Sequence, residues 1–207
     1  IYTVNYDLLL YWALMHNEND EEGFTLHFSD GFGQPEQEGA DYVAWDAGSN
    51  ANQQNLFYVH GALHLFDKGY ELEKRCYERS GTALVDQIRG ALNAGKFPLF
   101  VSEGDSQSKL TKIRHSDYLG KGLRSLPSIK GSLFIYGFSF SDNDEHITKL
   151  IDKGKVERVF IALYGDQNSA TNQQIITRAN LMVSRRPERV PLELSFFDAS
   201  SADIWGA

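Results

Sequence analysis

The sequence has one cysteine and no long hydrophobic run. Because Cys76 is the only cysteine among 207 residues, the chain can form no internal disulfide and has no Cys-x-x-Cys pair for a structural zinc. The longest wholly apolar run, residues 8–15, is far shorter than the roughly 18 residues that a membrane-spanning helix needs. We therefore expect a protein of a reducing, cytoplasmic compartment that makes no membrane contact.

Basic residues are also in short supply. The chain has 20 Lys and Arg against 28 Asp and Glu, which gives a net charge of -8. This excess argues against nucleic acid and anionic membranes as partners, although it leaves room for a local basic pocket. Hydrophobic residues make up 42% and charged residues 23%, as in ordinary globular domains. With no internal repeat, low-complexity tract or linker, the sequence predicts a single domain over residues 1–207.

Several well-known catalytic and nucleotide-binding motifs are missing. The sequence contains no Gly-x-Gly-x-x-Gly loop and no Walker-type loop. It also lacks the Gly-x-Ser-x-Gly elbow, so hydrolysis by Ser102 with His60 is a poor hypothesis. His60 and His64 have a spacing that would suit a metal pair on a strand, but no third ligand is evident, and we expect no metal.

Strand-like and helix-like segments alternate along most of the chain. Predicted strands cover residues 1–4, 56–59, 70–77, 97–101, 132–136, 156–164 and 192–197. Predicted helices cover residues 8–15 (apolar all round and so buried), 82–94, 117–126, 144–153 and 170–184. This alternation predicts an α/β fold, Rossmann-like, with a mostly parallel sheet and helices on both faces. The polar residues 17–55 are interpreted as a long, partly irregular insertion, either a lid or an interface.

Polar side chains follow four of the predicted strands, where open α/β sheets bind their ligands. One of these groups, residues 102–105, follows the strand at residues 97–101. Asn5 and Asp7 follow the first strand, and His60 and Gly61 follow the second. The strand at residues 132–136 is followed by a third group: Gly137, Ser139 and Asp142. We expect these groups to converge on one crevice and to bind a ligand there.

Each group also has a purely structural explanation. Asn5 and Asp7 are suited to capping the following helix, and His60 to a core position. Gly61 could simply relieve a tight turn, and residues 142–144 (Asp-Asn-Asp) form a natural helix start with their two acids near the positive end of the dipole. Capping does not explain Gly137 and Ser139, because they lie further back, at the strand end. A glycine there lets a ligand approach the backbone, and a hydroxyl can bond a ribose or a phosphate.

Taken together, TVNYD (residues 3–7), VHG (residues 59–61) and GFSFSDNDEH (residues 137–146) resemble the sirtuin fold. They look most like its bacterial sirtuin-like branch, which includes NAD-consuming antiviral effectors. The resemblance implies that Asn5 and His60 cleave the nicotinamide–ribose bond of NAD. It places Asp7 near the nicotinamide amide and Gly137 and Ser139 on the ribose and phosphates, and it adds Gly61 and Asp142 to the NAD-binding residues.

The chain departs from the sirtuin pattern in two ways. It lacks the Gly-Ala-Gly-x-Ser loop that cradles the pyrophosphate, and because it begins at Ile1 we expect the natural start, with the first strand–helix unit, to lie upstream. It also lacks the zinc-ribbon cysteines of deacetylating sirtuins. The resemblance thus favours NAD hydrolysis in bacterial defence or stress. The alternatives are a non-catalytic NAD or ADP-ribose sensor and a scaffold domain, and homo-oligomerisation is left open.

Overall fold

A computed structural model describes residues 1–16, 27–33, 42–46, 48, 53–76 and 81–203. The chain divides into two compact units, which are described separately. Unit 1 consists of Ile1–Ser102 and Lys112–Gly122, and unit 2 of Glu103–Thr111 and Leu123–Ala207. In the described ranges, no helix has the length and apolar character that crossing a membrane requires.

The described residues form a mixed α/β structure with six α-helices and eight strands. The helices are α1 (Leu9–His16), α2 (Leu84–Asn93), α3 (Ser106–Arg114), α4 (Asp117–Ser125), α5 (Glu145–Lys153) and α6 (Ala170–Ser184). The strands are β1 (Tyr2–Thr3), β2 (Tyr42–Ala44), β3 (Phe57–Tyr58), β4 (Leu65–Asp67), β5 (Leu72–Arg75), β6 (Lys130–Ile135), β7 (Lys155–Leu163) and β8 (Glu193–Asp198).

In unit 1, β1 and β3 form a short parallel pair. Tyr2 is in register with Phe57 and Thr3 with Tyr58, and the rings of Tyr2 and Phe57 stack 4.8 Å apart. Phe57 and Tyr58 are both buried. The two strands predicted at residues 1–4 and 56–59 are therefore confirmed, and they lie side by side.

A second sheet of unit 1 is antiparallel, with the strand order β2-β5-β4. β4 and β5 form a hairpin whose turn is closed by Lys68 N donating to Glu71 O, with Gly69 at a φ of +85°. The sequence predicted β5 but not β4. β2 lies within the predicted insertion, of which residues 17–26, 34–41, 47 and 49–52 are outside the described residues.

Helix α1 confirms the predicted helix but not its burial on all sides. Leu8, just before the helix, and Tyr11 pack with Phe66 of β4 and with Leu84 and Ile88 at α2. Leu9 is 50% exposed and Trp12 is 39% exposed. The prediction of an all-round buried helix was therefore wrong, because the described residues of unit 1 pack against one side of α1.

The predicted strand at residues 97–101 does not form. Phe100 makes a single antiparallel bridge to Gly61. The segment runs beside residues 60–65 through Ala62 N donating to Leu99 O and Val101 N donating to His60 O. Pro98 has no N–H to continue a ladder, which accounts for the isolated bridge. Helix α3, which follows, was not predicted either, because its sequence SQSKLTKIR has little apolar periodicity.

Unit 2 contains a three-stranded parallel sheet with the order β6-β7-β8. α5 connects β6 to β7 and α6 connects β7 to β8, so right-handed crossovers place both helices on the same face. Along β7, Val159, Ile161 and Leu163 are buried on one face of the sheet. On the other face Phe134 stacks on Phe160 at 4.7 Å and is 68% exposed. The parallel sheet was predicted correctly, but its described helices cover one face instead of two.

Candidate functional site

Asn5 and His60 follow neighbouring parallel strands of unit 1. Beyond β1 and β3 the two segments stay paired, because Val59 N donates to Thr3 O and Leu63 N donates to Tyr6 O, both at 2.9 Å. Residues 3–6 therefore run directly beside residues 59–63. The structure thus brings the two predicted catalytic residues to adjacent strand ends.

Asn5 presents its side chain to solvent. Its backbone N–H donates to Thr3 Oγ1 at 3.1 Å, which fixes the turn after β1. Within the described ranges, the Asn5 carboxamide makes no hydrogen bond, and the residue is exposed. The carboxamide is therefore available to a ligand, and it does not cap α1.

His60 is buried, with an exposed fraction of 4%. Its carbonyl accepts a hydrogen bond from Val101 N at 2.8 Å, so the backbone is held on both sides, by residues 3–6 and by residues 99–101. Burial of the ring is what a core histidine would show, and it is also what a shielded catalytic base would show.

Asp7 caps the start of α1. Its Oδ1 accepts a hydrogen bond from Leu9 N at 2.9 Å, as the capping alternative predicted. The carboxylate also lies within electrostatic range of the Tyr58 phenol. Burial, then the charge of Asp30, and in smaller part the charge of Asp7 raise the pKa of Tyr58.

Gly61 is required by the backbone. Its φ is +77°, and a Cβ atom there would lie 2.1 Å from the carbonyl oxygen of Leu99. No L-residue with a side chain can accept so close an approach. The structural explanation thus accounts for Gly61 without any ligand.

The loop after β6, in unit 2, contains the third predicted group. Gly137 has a φ of +66°, and a Cβ added there would have no atom within 4 Å, so its backbone is open to approach. Ser139 is exposed. The next residue, Phe140, is buried with a φ of +54°, which is a strained conformation for a non-glycine residue. Arg178 of α6 holds it by donating to Phe140 O at 2.6 Å.

The acidic residues of this loop form ion pairs. Asp142, whose side chain is 89% exposed, accepts from Arg178 Nη2 at 3.0 Å. Asp144 occupies the N-cap position of α5 but makes no side-chain cap. Instead it pairs with Lys109 Nζ at 2.8 Å and accepts from Ser141 Oγ at 3.1 Å. The expectation that capping explains this acidic cluster was therefore wrong for Asp144.

A buried polar network next to this loop was missed by the sequence reasoning. Ser106 Oγ accepts from His146 N at 2.8 Å and lies 3.2 Å from His146 Nδ1. Burial lowers the pKa of His146, so the ring is neutral at neutral pH. Lys109, beside Asp144, is buried as well. His146 belongs to the quoted motif, but Ser106 and Lys109 carry no local signal because their partners lie far along the chain.

The predicted residues thus form two groups, one in each unit. Unit 1 holds the strand-end residues Asn5, Asp7, His60 and Gly61, and unit 2 holds Gly137, Ser139 and Asp142. The first group offers an exposed carboxamide and a buried imidazole on neighbouring backbone segments. The second offers an open backbone, an exposed hydroxyl and a carboxylate held by an arginine.

The chain belongs to the family described as Domain of unknown function (DUF4917), whose model matches residues 1–205. No curated protein and no solved structure matches the chain.

Proposed function

We propose that this DUF4917 member is a cytoplasmic, sirtuin-like domain with a Rossmann-like arrangement, which binds NAD and hydrolyses its nicotinamide–ribose bond in a bacterial defence or stress response. The observation that carries the proposal is the pairing of residues 3–6 with residues 59–63, which sets Asn5 and His60 at adjacent ends of parallel strands. Ligands of α/β sheets bind at such ends.

The two residue types suit the reaction. Cleavage of an N-glycosidic bond passes through an oxocarbenium-like state at the ribose carbon. The carbon–nitrogen bond breaks and nicotinamide leaves as a neutral base, while a water molecule adds to the carbon. The Asn5 carboxamide can hold the water or a ribose hydroxyl beside that carbon. His60, as a neutral imidazole, can take the proton of the water and pass it to solvent.

The loop after β6, in unit 2, has features of its own that suit a nucleotide. Gly137 leaves its backbone open, and the exposed Ser139 hydroxyl makes no hydrogen bond among the described residues; ribose and phosphate oxygens need such groups. Asp142, oriented by Arg178, can accept a hydrogen bond from a ribose hydroxyl. Strain at Phe140, in the middle of this loop, is typical of functional loops and supports the assignment.

The experiment is a nicotinamide-release assay with the full-length protein. Asn5→Ala and His60→Ala should each lower kcat by about 100-fold or more, the usual contribution of a positioned acid–base group. Asn93→Ala and His115→Ala are matched controls, since both residues are exposed in unit 1 and follow neither β1 nor β3. Wild-type-like turnover in both site variants would overturn the residue assignment.

The burial of His60 favours a second candidate, a non-catalytic sensor of NAD or ADP-ribose. A ring that is 4% exposed exchanges protons with water slowly unless the site opens. Calorimetric binding of ADP-ribose, together with no nicotinamide release over long incubations, would select the sensor. Release of nicotinamide that depends on His60 would select the hydrolase.

A further inference from the structure

Unit 2 has a cleft of about 670 Å³ beside α5 and the C-terminal end of α6. It lies where β7 begins, since Gly154 lines it and β7 starts at the next residue. Gly137 follows the end of β6, which is parallel to β7. The cleft is therefore at the opposite edge of the sheet from the Gly137 loop, and neither proposed function uses it.

The cleft carries an excess of positive charge. Its lining includes five basic residues: Lys149, Lys153, Arg185, Arg186 and Arg189. Two acidic residues of the described chain, Glu145 and Asp152, line it as well, so the basic residues exceed the acidic ones by three. The whole chain has a net charge of -8, so the charge of the cleft lining is opposite in sign to that of the chain. Cations gathered in a concave surface create a positive electrostatic potential there.

The two carboxylates already have cationic partners. Arg185 reaches Glu145 and Asp152, each at 3.5 Å, and Lys149 pairs with Glu145 at 2.9 Å. Burial raises the pKa of Asp152, and the nearby Arg185 and Arg186 oppose that rise. In the part of the chain that the structure describes, Lys153 and Arg189 make no ion pair, and both are exposed at the cleft. They are the cations that a ligand would meet first.

The floor of the cleft is rigid. Arg186 is buried and donates to three carbonyl oxygens, those of Gly154, Ile151 and Val156, at 2.8 to 3.0 Å. Its Nε and the Oδ1 of Asp152 are buried without a hydrogen-bond partner among the described residues. Because buried polar atoms are rarely left unpaired in a native fold, the Arg186 Nε–H is a donor that an anionic ligand can satisfy, whereas the Asp152 oxygen does not favour an anion.

We propose that this cleft binds a small, phosphate-rich anion of about nucleotide size. Arg and Lys together are the usual phosphate ligands, and an excess of three charges suits an oligophosphate better than a single carboxylate. The volume lies within the range of small-molecule sites, and Pro187 and Val190 add an apolar wall for a base or sugar. The phosphates can be free or carried by a nucleotide, and the experiment separates these sources.

The test is calorimetry of the full chain with tripolyphosphate and, separately, with ATP. The double variant Lys153→Glu/Arg189→Glu changes only exposed residues at the cleft. Its matched control is Lys130→Glu/Arg158→Glu, which makes the same charge change at exposed strand positions outside the cleft. Circular dichroism and the melting temperature show that each variant is folded.

The wild type should bind tripolyphosphate saturably, more weakly as salt rises. The cleft variant should bind at least about tenfold more weakly, and the control within about twofold of the wild type. ATP should bind more tightly than tripolyphosphate if the physiological ligand is a nucleotide, and no more tightly if it is a free oligophosphate. No saturable binding of tripolyphosphate by the wild type, or an equal loss in both double variants, would overturn the proposal. Neither result bears on the proposal that unit 1 hydrolyses NAD, because that proposal does not use the cleft.

Discussion

His64 makes the stability of unit 1 sensitive to acid. The ring is completely buried, 4.9 Å from the ring of Tyr11 and 5.2 Å from that of Tyr58. Neither ring nitrogen has a hydrogen-bond partner in the described part of the chain. Burial, with the positive charge of Lys74, lowers the pKa of His64 to about 3, and the charge of Asp30 opposes this only partly.

The size of the effect follows from proton linkage. In the unfolded chain His64 has a pKa of about 6.5 and binds a proton below it, whereas the folded chain keeps the ring neutral down to about pH 3. Stability is therefore fully present above pH 6.5 and is lost as the pH falls towards 3. Between pH 7 and pH 5 the loss amounts to about 2 kcal/mol, because each unit of pKa difference is worth about 1.4 kcal/mol.

The assay is urea unfolding at pH 7 and pH 5, for the wild type and His64→Phe. Phenylalanine keeps an aromatic ring between Tyr11 and Tyr58 but cannot titrate. Between pH 7 and pH 5, the free energy of unfolding should fall by about 2 kcal/mol more in the wild type than in His64→Phe. His115→Phe, at an exposed position, should keep the wild-type pH dependence. Equal pH dependence in the wild type and His64→Phe would refute the reasoning, since it would mean that the buried ring accepts a proton in the folded state.

The remaining predictions concern backbone strain and a buried ion pair. Gly61→Ala should lower the free energy of unfolding by more than about 2 kcal/mol, because the added Cβ would overlap Leu99 O. Gly137→Ala, with open space around the added Cβ, should lower it by about 1 to 2 kcal/mol. Similar losses for the two variants in urea unfolding would contradict this. Lys109→Met should cost about 3 to 5 kcal/mol of unfolding free energy by removing the cation that pairs with the Asp144 carboxylate, and adding Asp144→Leu should recover part of it. A double variant no more stable than Lys109→Met would show that the pair does not carry the effect.

The sequence predicts best those elements that have their own apolar period. Helix α6 was predicted at residues 170–184, the bounds that the structure gives, and α2, α5 and β7 were predicted to within two residues at each end. The sequence fails where long-range contacts decide the structure. Residues 97–101 favour a strand, but they make one bridge to the neighbouring residues 60–65 and form no strand. Strand β4, which was not predicted, depends on its pairing with β5.

The candidate site shows the same division. The strand-end positions of Asn5 and His60 were predictable, because the runs predicted as strands, residues 1–4 and 56–59, end just before polar residues. The requirement for glycine at position 61 was not predictable, because it depends on the nearby carbonyl of Leu99. The pairing of Lys109 with Asp144 was also invisible, because the two residues are 35 positions apart and only the fold brings them together.

In the function proposed here, His60 performs chemistry and does not merely support binding. ADP-ribose affinity and the rate of nicotinamide release, measured in the wild type and in His60→Ala, separate these two roles. We expect His60→Ala to have an ADP-ribose Kd within about threefold of the wild-type value and to release nicotinamide at least about 100-fold more slowly. Nicotinamide release by His60→Ala at the wild-type rate, with NAD and ADP-ribose still bound, would contradict it.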